Sequence, residues 1–173
     1  MSENAREAIL AAAKGAAQLH GYSGINFRSI GEAVGIKNAS IYYHFPSKAD
    51  LGAAVAERYW QDTARVLQSI RDANADPRVC LQLYPSIFRK SLEDGNRLCL
   101  SSFMAAEYED LPEEVKAQVK AFADANIVWL STLLADAGLH TFTVQGGDIA
   151  ALRIALENRS GIEQVAPFGD TLH

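Results

Sequence analysis

Apolar residues recur three and four positions apart along almost the whole chain, the spacing that places them on one face of an α-helix. Ile9, Ala12, Ala13, Ala16 and Leu19 mark a first helix from about Glu3 to His20, with Gly21 as its C-terminal stop. Tyr22 then opens a turn that contains Gly24. Asn26 is a candidate N-cap, since its amide oxygen can accept from the free N–H groups of the next turn; Ile30, Ala33 and Val34 give the short helix that follows a buried side, and Gly35 ends it. A third helix, from Lys37 or Asn38 to His44, carries Ile41 and Phe45 four apart on one face. Pro46 breaks the pattern, because the residue before a proline is pushed out of the helical region.

Longer helices follow. Ser47 and Asp50 form a capping pattern for a fourth helix with a stripe of Leu51, Val55, Tyr59, Val66 and Ile70. Pro77 starts a segment in which Val79, Leu83, Ile87 and Phe88 run on to Gly95, and RLCLSSFMAAEYE predicts a short apolar helix closed by Leu111 and Pro112. The strongest periodicity comes next, with Val115, Val119, Phe122, Ile127, Leu130, Leu133 and Leu134 predicting a helix from Pro112 to Gly138. The one short alternation of strand type is His140 to Val144; a last helix is predicted from Asp148 to about Asn158, and the remainder reads as tail. The pattern is therefore that of an all-α chain.

At 173 residues the chain is long enough to bury a core without metal or disulfide support. Two cysteines, Cys80 and Cys99, are too few for a secreted disulfide framework and suit a reducing compartment, and the N-terminus has neither the shape of a signal peptide nor that of a spanning helix. The expected location is the cytoplasm. A net charge of -5 argues against a nucleic-acid partner until it is divided. Residues 1–51 hold five cations and four acids, net +1, whereas the remainder holds eleven and seventeen, net -6. A near-neutral head on an acidic body is compatible with DNA contact through the head alone.

The candidate chemistry lies in that head. Two short helices joined at Gly35 and packed on the first helix form a helix-turn-helix unit, whose second helix has the width to enter the major groove of B-DNA. With Ile41 and Phe45 turned inward, Lys37, Asn38, Ala39, Ser40, Tyr43 and His44 face outward or sideways. Short Ala39 and Ser40 allow close approach to base edges, Lys37 and Asn38 can donate into the groove, and the tyrosines and His44 can reach phosphates. Lys48, with the positive end of the fourth helix, makes a second phosphate clamp, and Arg28 can act likewise from the second helix. The plainer alternatives are that Tyr42 is a packed aromatic, Lys48 a solvated first-turn lysine, and the whole unit a common helical shape without DNA chemistry.

The run NFRSIGEAVGIKNASIYYHFPSKADL, Asn26 to Leu51, resembles the DNA-binding signature of the TetR family of transcriptional regulators, and REAILAAAKGAAQLHGYSG before it is similar to the family's first helix. The family usually has threonine where Asn26 stands, and often glycine where Ala39 stands. The resemblance covers about the first 60 residues. It implies an N-terminal three-helix helix-turn-helix DNA-binding domain over residues 1–50, extending into the helix to about residue 62, and a C-terminal helical ligand-binding and dimerisation domain over 51–173. It also implies a core role for Ile41, Phe45 and Leu51, base contacts from Lys37 to Ser40, and phosphate contacts from Tyr42, Tyr43, His44 and Lys48. The expected function is that of a regulator, in the first instance a repressor released from a palindromic operator by a small-molecule inducer, acting as a homodimer. In relatives two long C-terminal helices form the two-fold interface, whereas here one short helix follows Gly147. Either the helix from Pro112 to Gly138 carries more of that face, or the native C-terminus differs.

For the body the residues speak alone. Tyr59, Trp60, Tyr84, Phe88, Phe103, Met104, Tyr108 and Trp129 are aromatic and apolar candidates for an effector pocket, with ordinary core as the alternative for each. Cys99 stands near a helix start and close to Arg97, a setting for a redox- or electrophile-responsive thiol, against the alternative of an inert buried one. A cytosolic helical enzyme and a purely structural dimerisation module are the remaining classes. No nucleophile with a base, paired acids on one helix face, metal spacing or phosphate-cradling glycine loop stands out, and His20, His44, His140 and His173 do not cluster. No catalytic residue, metal or cofactor is therefore expected.

Overall fold

The computed structural model describes residues 2–93, 97 and 99–139. The strand predicted at His140 to Val144, the helix from Asp148 and the tail after it lie outside the described residues, as does Gly95. Eight α-helices are described: α1 Ser2–His20, α2 Phe27–Val34, α3 Asn38–His44, α4 Lys48–Ala73, α5 Pro77–Leu83, α6 Ser86–Glu93, α7 Leu100–Ala106 and α8 Glu113–Asp136. Single 3-10 turns at Tyr22–Gly24 and Tyr108–Asp110 complete the described elements. The described residues contain no strand, and those up to Leu139 pack as one compact unit.

The caps fall where the sequence places them. Asn26 Oδ1 accepts from the N–H groups of Arg28 and Ser29 at 2.9 and 3.2 Å. Ser47 and Asp50 pair reciprocally: the Asp50 N–H donates to Ser47 Oγ at 3.1 Å and Ser47 Oγ donates to Asp50 Oδ2 at 2.7 Å. Gly35 adopts the left-handed conformation, φ 74°, that ends α2 and turns the chain toward α3.

The core joins head and body around α4. Ile9, Leu10, Ala13 and Ala17 of α1 meet Leu51, Val55 and Ala56 of α4, with Ile30 and Ile41 below and Leu100, Met104, Val115 and Val119 from the body above. Gly52 makes one close approach possible, since a Cβ there would lie 2.6 Å from the edge of the Tyr22 ring and 3.3 Å from Val115. The missing side chain leaves a notch in α4 that receives Tyr22.

Several apolar faces are rotated from the expected ones. In α1 the buried line is Ile9, Leu10, Ala13 and Ala17, and Leu19 is 56% exposed. Ala33 is likewise exposed. Beyond Asp62 the polar contacts of α4 run to α5 and α8: Trp129 Nε1 donates to Leu67 O, Cys80 Sγ to Ile70 O and Arg71 to Asp136. The buried position accordingly shifts to Leu67, leaving Val66 exposed. The segment that starts at Pro77 forms two helices, because Pro85 has no N–H for the Leu81 carbonyl; instead the N–H groups of Phe88 and Arg89 start α6 on Pro85 O. In α8 the buried line is Val115, Val119, Asn126 and Leu133, and Ile127 faces out. Asn126 is inside because its amide is satisfied there, accepting from Tyr84 Oη at 2.9 Å and donating to Phe122 O at 2.7 Å.

Candidate nucleic-acid interface

The surface around α3 is built on two anchors. Ile41 is fully buried and Phe45 nearly so, with the Arg6 guanidinium 5.3 Å from the Phe45 ring centroid. Because these residues point inward four apart, Lys37, Asn38, Ala39 and Ser40 are all exposed at the start of α3. Lys37 is the backbone N-cap, its carbonyl accepting from Ser40 N–H at 2.9 Å, which leaves its side chain uncommitted to the cap. No acid lies in α3, so its outer face presents donors and small side chains without a group that repels phosphate.

The aromatic residues divide. Tyr43 is 80% exposed, a large ring that does nothing for the core, and meets His44 edge-on at 5.1 Å. Tyr42 packs its ring edge-on against Phe27 at 4.8 Å, as the packed-aromatic reading expects, and remains 55% exposed. Lys48 is half-buried, its Nζ 4.5 Å from the Tyr22 ring centroid and donating to Ser23 O at 3.3 Å. Arg28 pairs with Glu32 at 3.2 Å, on a side chain that is otherwise well exposed. Arg28, Asn38, Tyr42 and Lys48, from three different helices, meet around one open hollow of about 370 Å³ with Asn26 and Phe27. Phe27 and Tyr22, which buttress Tyr42 and Lys48, were not singled out in the sequence. Each acts through a partner at least fifteen residues away, so no local spacing marks it.

The body candidates fall into separate settings. Tyr84 stacks on Trp129 at 5.7 Å and meets Phe88 edge-on at 5.4 Å, and Trp129 Nε1 donates to Leu67 O at 3.1 Å. Burial, with a smaller contribution from the charge of Cys99, raises the Tyr84 hydroxyl above its usual pKa. Trp60 lies apart, donating to Gln118 Oε1 at 2.9 Å, and Met104 is fully buried in the core shared with α1. Phe103 is half-buried, and Tyr108 is exposed beneath Lys116 Nζ at 5.7 Å. Cys80 and Cys99 are both free and buried. Among the described residues no group of three or more His, Cys, Asp or Glu is placed to hold a metal ion, and no helix is long and apolar enough to cross a membrane.

Comparison with known proteins follows the same line. Residues 9–55 match the family described as "Bacterial regulatory proteins, tetR family". Over 104 residues, 56% of this chain, the sequence is 32% identical to the transcriptional regulator AcuR of Cereibacter sphaeroides. That stretch spans 46% of AcuR, so the match reaches about half the length of this curated relative. Among solved structures, a TetR transcriptional regulator from Legionella pneumophila is 32% identical with a TM-score of 0.74, over 87% of this chain and 78% of that one. A TetR-family transcriptional regulator from Agrobacterium tumefaciens is 27% identical with a TM-score of 0.76, over 91% of this chain and 84% of that one. An all-α fold with a helix-turn-helix head and these likenesses together make the chain a member of the TetR family of transcriptional regulators.

Proposed function

We propose that the protein is a repressor that binds a palindromic operator as a homodimer in the cytoplasm and is released by a small-molecule effector. The observation that carries this reading is the acid-free outer face of α3, on which Tyr43 and the Lys37 to Ser40 run are exposed while Ile41 and Phe45 hold the helix from within. Lys37, Asn38, Ala39 and Ser40 read base edges; Arg28, Tyr42, Tyr43, His44 and Lys48 bind phosphates. Two copies are needed because each recognition helix reads one half-site of a palindrome. The effector binds in the body near Tyr84, Phe88 and Trp129. To relieve repression tenfold it must favour the DNA-incompetent arrangement by ~1.4 kcal/mol.

The experiment is selection of bound duplexes from a random pool, followed by titration of the recovered sequence. A recovered inverted repeat bound by a dimer supports the reading; recovery of no preferred sequence at moderate salt overturns it. Tyr43→Ala and Lys48→Ala should each lose affinity for that duplex while the melting temperature stays near that of the wild type.

A further inference from the structure

Body and head meet at the Tyr22–Gly24 turn. Glu107, half-buried at the C-cap of α7, accepts a hydrogen bond on Oε2 from the Tyr22 backbone N–H at 2.9 Å, across 85 residues of sequence. Gly21, the preceding residue, is buried at φ 67°, and a Cβ there would lie 2.5 Å from both carboxylate oxygens. The carboxylate thus fills the space a side chain at position 21 would take. Contacts then continue outward, since the same turn supplies Lys48 with the Ser23 carbonyl at 3.3 Å and the Tyr22 ring at 4.5 Å. A body carboxylate holds the turn, and the turn seats a cation on the head.

We propose that Glu107 is a positioning residue for DNA binding: by holding the Tyr22–Gly24 turn from α7 it sets the place of Lys48, so that a shift of α7 reaches the DNA through this contact. The inference rests on the reading of Lys48 as a phosphate contact. A carboxylate suits the task because a charge-assisted bond to a backbone N–H is roughly twice as strong as a neutral one, and its shared fit with Gly21 leaves the turn one place to sit.

The test uses the full chain and a duplex that the wild-type protein selects. Glu107→Ala should weaken binding roughly tenfold, the worth of one hydrogen bond to a charged group, and the Tyr22 amide should exchange with solvent faster. Glu107→Gln keeps a neutral acceptor at the same reach and should lose about half of that free energy, roughly threefold in affinity, whereas Glu107→Asp keeps the charge, falls one methylene short, and should weaken binding as Ala does. In a Lys48→Ala background, Glu107→Ala should cost little more, since the two act in series. The positioning role is overturned, with DNA binding intact, if Glu107→Ala binds like the wild type or its cost adds in full to that of Lys48→Ala. Should the alanine variant not fold, equal affinities for the Gln and Asp variants overturn it. If the wild type selects no duplex, the DNA-binding reading fails, and this inference with it.

Discussion

The Tyr84 hydroxyl shows how a single half-buried polar group ties stability to pH. Its proton is held more tightly in the folded chain, because burial and the nearby Cys99 charge disfavour the phenolate. The sign follows from linkage: the contribution is complete below the ordinary tyrosine pKa of 10.0 and is lost as pH rises through it toward the folded value. Chemical denaturation at a series of pH values should therefore show stability falling above that point, and Tyr84→Phe should flatten the fall. At neutral pH the same variant should lose about 1 kcal/mol, because the Asn126 amide oxygen loses its donor. At this scale much was legible: Asn26 and Ser47 are caps in the sequence and in the fold, since a cap is a local bargain between a side chain and N–H groups two or three residues on. Tyr22 and Phe27 were not legible, because their partners are set by how helices pack.

Among the elements, α3 separates what holds the fold from what faces outward. Ile41→Ala, at a fully buried position, should cost ~2–5 kcal/mol in denaturant unfolding, whereas Tyr43→Ala should stay within about 0.5 kcal/mol. Equal losses would mean that Tyr43 serves packing rather than a partner. In α4 two rules oppose each other. Gly52→Ala should stabilise by about 1 kcal/mol on helix propensity alone, but the new Cβ would meet the Tyr22 ring at 2.6 Å. The collision should prevail and lower the melting temperature, and adding Tyr22→Ala should recover part of the loss. Helix existence was well marked by periodicity, but helix faces were not. Leu19, Val66 and Ile127 carry apolar side chains at helical spacing and face outward, because which side is buried depends on the neighbours that each helix meets. The break at Pro85 had a local sign in the proline itself; the inward turn of Asn126 had none, since its partner Tyr84 lies 42 residues away.

For the molecule as a whole, the division of charge matters more than its sum. Net charge is -5, but the acid excess lies after residue 51, so the DNA-facing end is spared most of the repulsion. Operator affinity should fall linearly with salt on logarithmic axes, and Lys48→Ala should make the slope shallower by about 1, the share of a single phosphate contact. An unchanged slope with lower affinity would instead point to a distorted head. The head was the more legible half, since its signature is compact and local, while the body's aromatics disperse into several settings that spacing did not separate. The notch at Gly52 has a consequence for how such a chain can lengthen. One residue inserted between Ser47 and Gly52 would rotate the notch by about 100° about the α4 axis and carry it away from Tyr22. The same insertion beyond Asp62 would leave that seat untouched but turn Leu67, Ile70 and Arg71 away from α5 and α8, so each half of α4 has its length fixed by a different set of neighbours.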